Sequence, residues 1–157
     1  MKDDQPQDAS FSDADEKPLR LVAFDAEDLG VVSALVQDAV ATVGDLAFLR
    51  GPKRFAALLN RFRWEGRTRT PERVRSLLVI EGATAARTQG IDPRDKDTVL
   101  ELLALSWEGE ADGPGRLVMT FAGDGAIAVE AEALEVVLHD ATRPYLAPSR
   151  RAPSHPE

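Results

Sequence analysis

The spacing of hydrophobic and polar positions changes along the chain, and the changes mark the elements. Leu19-Arg20-Leu21-Val22-Ala23-Phe24 reads as a short strand. Leu29, Val32, Val36 and Ala39 then recur at helical spacing, and Val31 and Leu35 widen the stripe, which predicts an amphipathic helix over about 26–39. Asp25 is placed to cap that helix, with Asp28 three residues on where a capping box has its acid. Gly44-Asp45 breaks the chain, and from there the period falls to two. Segments 46–49, 54–65, 72–80 and 116–121 read as strands, and 83–89 continues its predecessor past a bend at Glu81-Gly82. Segment 98–107 reads as a strand or, because Leu and Glu favour it, a helix. Gly123-Asp124-Gly125 marks a hairpin turn. Residues 126–138 alternate as Ile127, Val129 and Ala131, then change phase to Leu134, Val136 and Leu138; a bulge near 132–134 or a switch to helix would do this. The expected fold is α+β: a mainly antiparallel β system of about seven strands, barrel-like or two-sheet, with one N-terminal amphipathic helix.

A shift of 43 residues aligns Trp64-Glu65-Gly66 with Trp107-Glu108-Gly109, Pro71 with Pro114, and Gly82-Ala83 with Gly125-Ala126. Both stretches read strand, loop, strand, tight turn, strand. They suggest an internal repeat of β-meanders, although shared turn chemistry accounts for the match as well. Core filling is the expected work of both tryptophans.

Composition narrows the function classes. The chain has 157 residues, 43% of them hydrophobic, which suits one domain. Residues 1–17 read as a disordered acidic tail, 18–142 as a single α+β domain and 143–157 as a flexible Pro/Ser-rich tail. The N-terminus has neither the basic start nor the apolar core of a secretory signal, so cytoplasmic residence is expected. No apolar run is long enough for a membrane helix. There is no cysteine, and the two histidines are too few for a multi-histidine centre, so no metal or other cofactor is expected. Phosphate-binding glycine loops and nucleophile-elbow motifs do not occur. Asp92-Pro93-Arg94-Asp95-Lys96-Asp97 lacks calcium-loop spacing and reads as a solvated turn. His139-Asp140 has no activated serine with it. No catalytic residue is assigned.

Charge supplies the sharpest feature. Net charge is -8, yet residues 50–87 hold ten Arg/Lys against three Glu, while 88–140 hold twelve acids against three bases. Mutual neutralisation within the fold is the plain reading. The functional reading rests on strand parity. If 54–65 and 72–80 form a hairpin around residue 68, Arg61 lies opposite Arg75 and Arg63 opposite Arg73, and four guanidiniums crowd one face. Phe62, Trp64, Val74 and Leu78 then take the other. Such a face suits a phosphate-bearing ligand or an acidic protein, because guanidinium forks pair bidentately with oxyanions. Nucleic acid is disfavoured by the net charge and by the separation of aromatics from arginines; a membrane is not expected as a partner. The expected function is a non-catalytic binding or protein-interaction module with Arg61, Arg63, Arg73 and Arg75 as its anion-recognition face. The alternatives are a small enzyme without a recognisable motif, and a self-assembling protein whose basic hairpin meets the acidic half of a second copy.

Several stretches carry a resemblance: Asp25-Ala26-Glu27-Asp28-Leu29, Gln37-Asp38-Ala39-Val40, Val43-Gly44-Asp45-Leu46, Asn60-Arg61-Phe62-Arg63-Trp64-Glu65, the Gly90-Ile91 pair and the closing acidic strand. Over about 19–140 the chain resembles a family of small, mainly alphaproteobacterial proteins classed as a domain of unknown function. The resemblance implies a single-domain soluble bacterial protein and transfers no active site.

Overall fold

In the computed structural model, residues 18–64 and 72–141 are described, together with the backbone of Tyr145 and Leu146. Segment 1–17, expected as an acidic tail, lies outside the described residues, as does most of the Pro/Ser-rich C-terminal segment.

The strands are β1 (Arg20–Ala23), β2 (Val40–Thr42), β3 (Leu46–Leu49), β4 (Arg54–Phe62), β5 (Glu72–Glu81) and β6 (Ala83–Gln89), followed by β7 (Val99–Gly109), β8 (Gly115–Phe121), β9 (Ala126–Ala131), β10 (Val136–Asp140) and β11 (Tyr145–Leu146). One helix, α1 (Ala26–Leu35), and a single 3-10 turn at Val43–Asp45 complete the described elements. The fold is α+β and its pairings are antiparallel throughout. The strands form one sheet in the order β1-β10-β5-β4-β2-β7-β8-β9-β6, with β3 on β4 and β11 on β5. That sheet curls but does not close into a barrel, and its eleven strands exceed the seven expected.

Three differences from the sequence reading account for β2, β10 and β11. The helix ends at Leu35 with Val36 as its C-cap. Asp38 follows at a φ of 66°, and its N–H donates to Leu102 O at 2.7 Å, turning the chain into β2. Second, the phase change after Ala131 is neither a bulge nor a helix. Residues 132–135 carry the chain from β9 to β10, on the other half of the sheet, anchored by Glu132 N–H to Gly82 O and Glu81 N–H to Glu135 O. Third, Tyr145–Leu146 pair with Arg73 and Glu72.

Glycine decides one topological choice. Gly82 alone takes a positive φ, 72°, between β5 and β6, so the chain bends and runs on to pair with β9. After β8, just before the Gly125 that aligns with Gly82, Gly123 and Asp124 take φ of 84° and 71° in succession, and the chain reverses into the β8–β9 hairpin. Segment 98–107 is strand from Val99 onward, as part of β7.

Inside the curl lies a core of Leu, Val, Ile, Ala, Met and Phe from both halves of the sheet, including Leu59, Leu78, Leu102, Met119 and Leu138. Helix α1 packs on β7 and β1. It buries Leu29 and Val32, with Val36 beyond its end, whereas Val31, expected in the apolar stripe, is 53% exposed. Ser33 Oγ accepts the Leu105 N–H at 2.9 Å, tying the helix to β7. Asp25 caps the helix as expected, accepting the Asp28 N–H at 2.8 Å. Asp25→Ala should cost about 1 kcal/mol, read as a lower urea midpoint at unchanged slope. The tryptophans differ: Trp107 packs against the core, while Trp64 stays 39% exposed with its ring 5.7 Å from Phe62.

Candidate functional site

The β4–β5 hairpin forms, but its register differs by one residue from that needed for a four-arginine face. Asn60 lies opposite Arg75, Arg61 opposite Val74, and Phe62 opposite Arg73. The core sets this register. It places Phe55 against Ile80 and Ala57 against Leu78, all four buried. The expected register would have put Phe55 against Glu81 and Ala57 against Val79, mixing the two faces. Arg61 and Arg63 therefore do not share a surface with Arg73 and Arg75.

Arg61 points inward and is fully buried. Its Nε donates to Ser76 Oγ at 2.9 Å, one terminal nitrogen to Phe62 O at 3.1 Å, and the other to Asp140 Oδ1 at 2.9 Å. Ser76 Oγ also donates to Asp140 Oδ1 at 2.7 Å, and Asp140 Oδ2 accepts the Leu19 N–H at 2.8 Å. This network spans β4, β5, β10 and the start of β1, and it holds a charge where low dielectric makes an unmatched one costly. Arg63 lies just past β4 and pairs with Glu72 Oε1 at 2.7 Å.

Much of the basic block is matched in the same way. Lys53 pairs with Glu132, Arg54 with Glu81, and Arg87 with Glu130. Glu130, Glu132 and Asp140 come from the acidic block, so part of the charge asymmetry along the sequence is internal pairing in the fold.

Arg73 and Arg75 do face outward. Arg73 sits 4.0 Å over the Phe62 ring and donates to the Asn60 side chain at 3.3 Å. Phe62 thus shares the face of these arginines, contrary to the expected separation, and it is covered by Arg73 and Trp64. Strand pairing extends this outer surface. Ala56, Val79, Val137 and Val22 form one row across β4, β5, β10 and β1; Leu58, Leu77, His139 and Arg20 form the next. The six aliphatic members are all partly exposed, and Arg20 and His139 are exposed. On these four strands the outward charges are Arg20, Arg54, Arg73 and Arg75 against Glu81 alone. Beside Arg75 a hollow of about 160 Å³ opens where β2 and β4 splay apart, lined by Thr42, Asp45, Leu58 and Asn60 among others. Arg20 was legible as an outward strand residue, but its place beside Leu77 depends on the β1–β10–β5 order, which local pattern does not encode.

A second hollow, of about 290 Å³, lies between β3 and β6. Val43, Leu46, Phe48, Phe55, Ala86, Ile91 and Ile127 contribute its apolar wall, and Lys96 and Thr88 are its polar side chains. Lys96 belongs to the 92–97 segment, which is a turn as expected. Asp92 Oδ1 accepts the Arg94 N–H at 2.9 Å. That bond first, and the Arg94 guanidinium second, hold the Asp92 carboxyl below its usual range. Among the described residues no group of acids and histidines is arranged to hold a metal ion, and no helix is long and apolar enough to cross a membrane.

No curated protein and no solved structure matches the chain. A family match covers residues 19–155, from the first residue of the Leu19–Asp140 clasp to beyond the last strand, so the whole described domain is shared: the chain belongs to the family described as Protein of unknown function (DUF2948).

Proposed function

We propose that this protein is a non-catalytic interaction module whose recognition surface is the outer face of β1, β10, β5 and β4, and that its partner is an acidic protein. The reading is carried by an aliphatic strip of Val22, Val137, Val79, Ala56, Leu77 and Leu58 bordered by Arg20, Arg73 and Arg75. Sheet faces of this kind are ordinarily covered by a second layer, most often helices in α+β domains. Exposed aliphatics side by side attract a partner through burial, and the arginine border favours carboxylates at its edge. The wall of the hollow between β3 and β6 contains no carboxylate or histidine.

The test uses two synthetic amphipathic helical peptides with the same leucine stripe, one flanked by glutamates and one by lysines. The glutamate peptide should bind, with NMR shifts centred on Val79 and Val137. Arg20→Glu combined with Arg75→Glu should weaken it at least tenfold while circular dichroism stays unchanged. Val137→Asp should abolish it. Equal binding of both peptides, shifts elsewhere, a self-associating chain by sedimentation, or tighter capture of single-stranded oligonucleotide would each overturn the reading.

A further inference from the structure

The hollow between β3 and β6 lies where the curled sheet fails to close. Among the described residues β3 is paired only with β4 and β6 only with β9, so each has an unpaired edge at this seam. At one end the seam is drawn together by Ala83 N–H donating to Lys53 O at 2.9 Å. At the other end the edges part, and the space between them goes down to Phe55 and Ile127, which are 5% and 2% exposed. The apolar interior is therefore reachable from solvent at this point.

The polar side chains of the hollow are chemically selective. Lys96 has no ion-pair or hydrogen-bond partner for its ammonium among the described residues. Its backbone is fixed, because Lys96 O accepts the Gly44 N–H at 3.0 Å and Thr98 O accepts the Val43 N–H at 2.9 Å. Gly44 lies so close that a Cβ there would come within 3.3 Å of Lys96 O. The Lys96 backbone is thus held beside the 3-10 turn, from where its flexible side chain can bring the ammonium to the hollow, and Thr88 is the other polar residue of the lining. A volume of about 290 Å³ holds about ten heavy atoms at roughly 30 Å³ each.

We propose that this seam is a binding site for a small amphiphilic carboxylate: an aliphatic or aromatic body seated against Phe48, Phe55, Ile91 and Ile127, with its carboxylate at Lys96 and Thr88. A mostly apolar pocket with a few convergent polar groups is the usual form of a small-ligand site. The inference does not depend on the interaction face, which lies on the outer surface of β1, β10, β5 and β4.

Octanoate is the probe, with octanol and octylamine as controls, titrated into the full chain by NMR. Octanoate should shift Ala86, Ile91 and Ile127 and bind more tightly than either control. Lys96→Met should lower octanoate affinity about threefold to fivefold, the size of a partly solvated ion pair, and leave octanol unchanged. Ala86→Leu should fill the space and weaken both at least tenfold. Thermal unfolding of each variant distinguishes a lost site from a lost fold, and Lys96→Met, at an exposed position, decides the matter if Ala86→Leu does not fold. Equal binding of octanoate and octanol, indifference to Lys96→Met, or shifts confined to the outer face would overturn the proposal.

Discussion

Replacing Asp140 by alanine should cost about 3–5 kcal/mol, the usual penalty for stranding a buried charge. Arg61 has no route to solvent: its side chain is 0% exposed and that of Asp140 is 1% exposed. The substitution removes the acceptor of one guanidinium nitrogen, one partner of Ser76 Oγ, and the acceptor of the Leu19 N–H. The last loss loosens the entry to β1, which among the described residues is an edge strand paired with β10. Total stability of a domain this size is typically about 5–15 kcal/mol, so the variant should be partly unfolded at 37 °C. Urea unfolding followed by far-ultraviolet dichroism measures the change. The double variant Arg61→Met/Asp140→Leu should recover most of the loss, because apolar replacement of both partners removes the desolvation penalty along with the attraction. A single-variant cost under about 1 kcal/mol would mean that water reaches Arg61 and that the network is not the clasp its geometry suggests.

The same network shows what could be read in the sequence and what could not. Element types were largely legible: the short first strand, the capped helix, the β4–β5 and β8–β9 pairs of segments, and the antiparallel α+β class all follow from local period. The four-arginine face failed on a single residue of register. A slip of one exchanges the two faces of a strand, and the 65–71 connection gives no sequence cue to where the hairpin is centred. A signal for the correct answer was nevertheless present. Arg61 is in phase with Phe55, Ala57 and Leu59; Ser76 with Val74, Leu78 and Ile80; Asp140 with Val136 and Leu138. Three polar residues at core positions of three strands, one basic, one acidic and one hydroxyl, are what a buried pair requires. That they meet depends on β10 lying beside β5, a long-range fact absent from local pattern. Lys96 and Thr88 were missed for a similar reason: the hollow they line exists only because β3 and β6 come together unpaired.

Two glycine-to-alanine substitutions should change stability in opposite directions, because crowding decides the sign at one position and backbone entropy at the other. At Gly115 a Cβ would fall 2.6 Å from Glu108 O, 2.6 Å from the Trp107 ring and 2.8 Å from Gly109 Cα. Gly109 and Gly115 are paired residues at the end of the β7–β8 ladder, not members of a loop, and the indole of Trp107 lies across the bare backbone. Its Nε1–H donates to Glu110 O at 2.9 Å, which fixes the ring from the other side. The ring and two stretches of backbone must all move, so Gly115→Ala should destabilise by about 1–3 kcal/mol, the range for forced overpacking. Displacement of Trp107 should also alter the intrinsic fluorescence of the folded protein. At Gly30, in the middle of α1, nothing lies within 4 Å of the added Cβ. There the backbone entropy that glycine loses on forming a helix decides the sign, and Gly30→Ala should stabilise by roughly 0.5–1 kcal/mol. Paired urea titrations at equal slope measure both changes. Destabilisation at Gly30 would place an unseen neighbour against that face of the helix, whereas tolerance at Gly115 would require Trp107 to leave the hairpin at little cost.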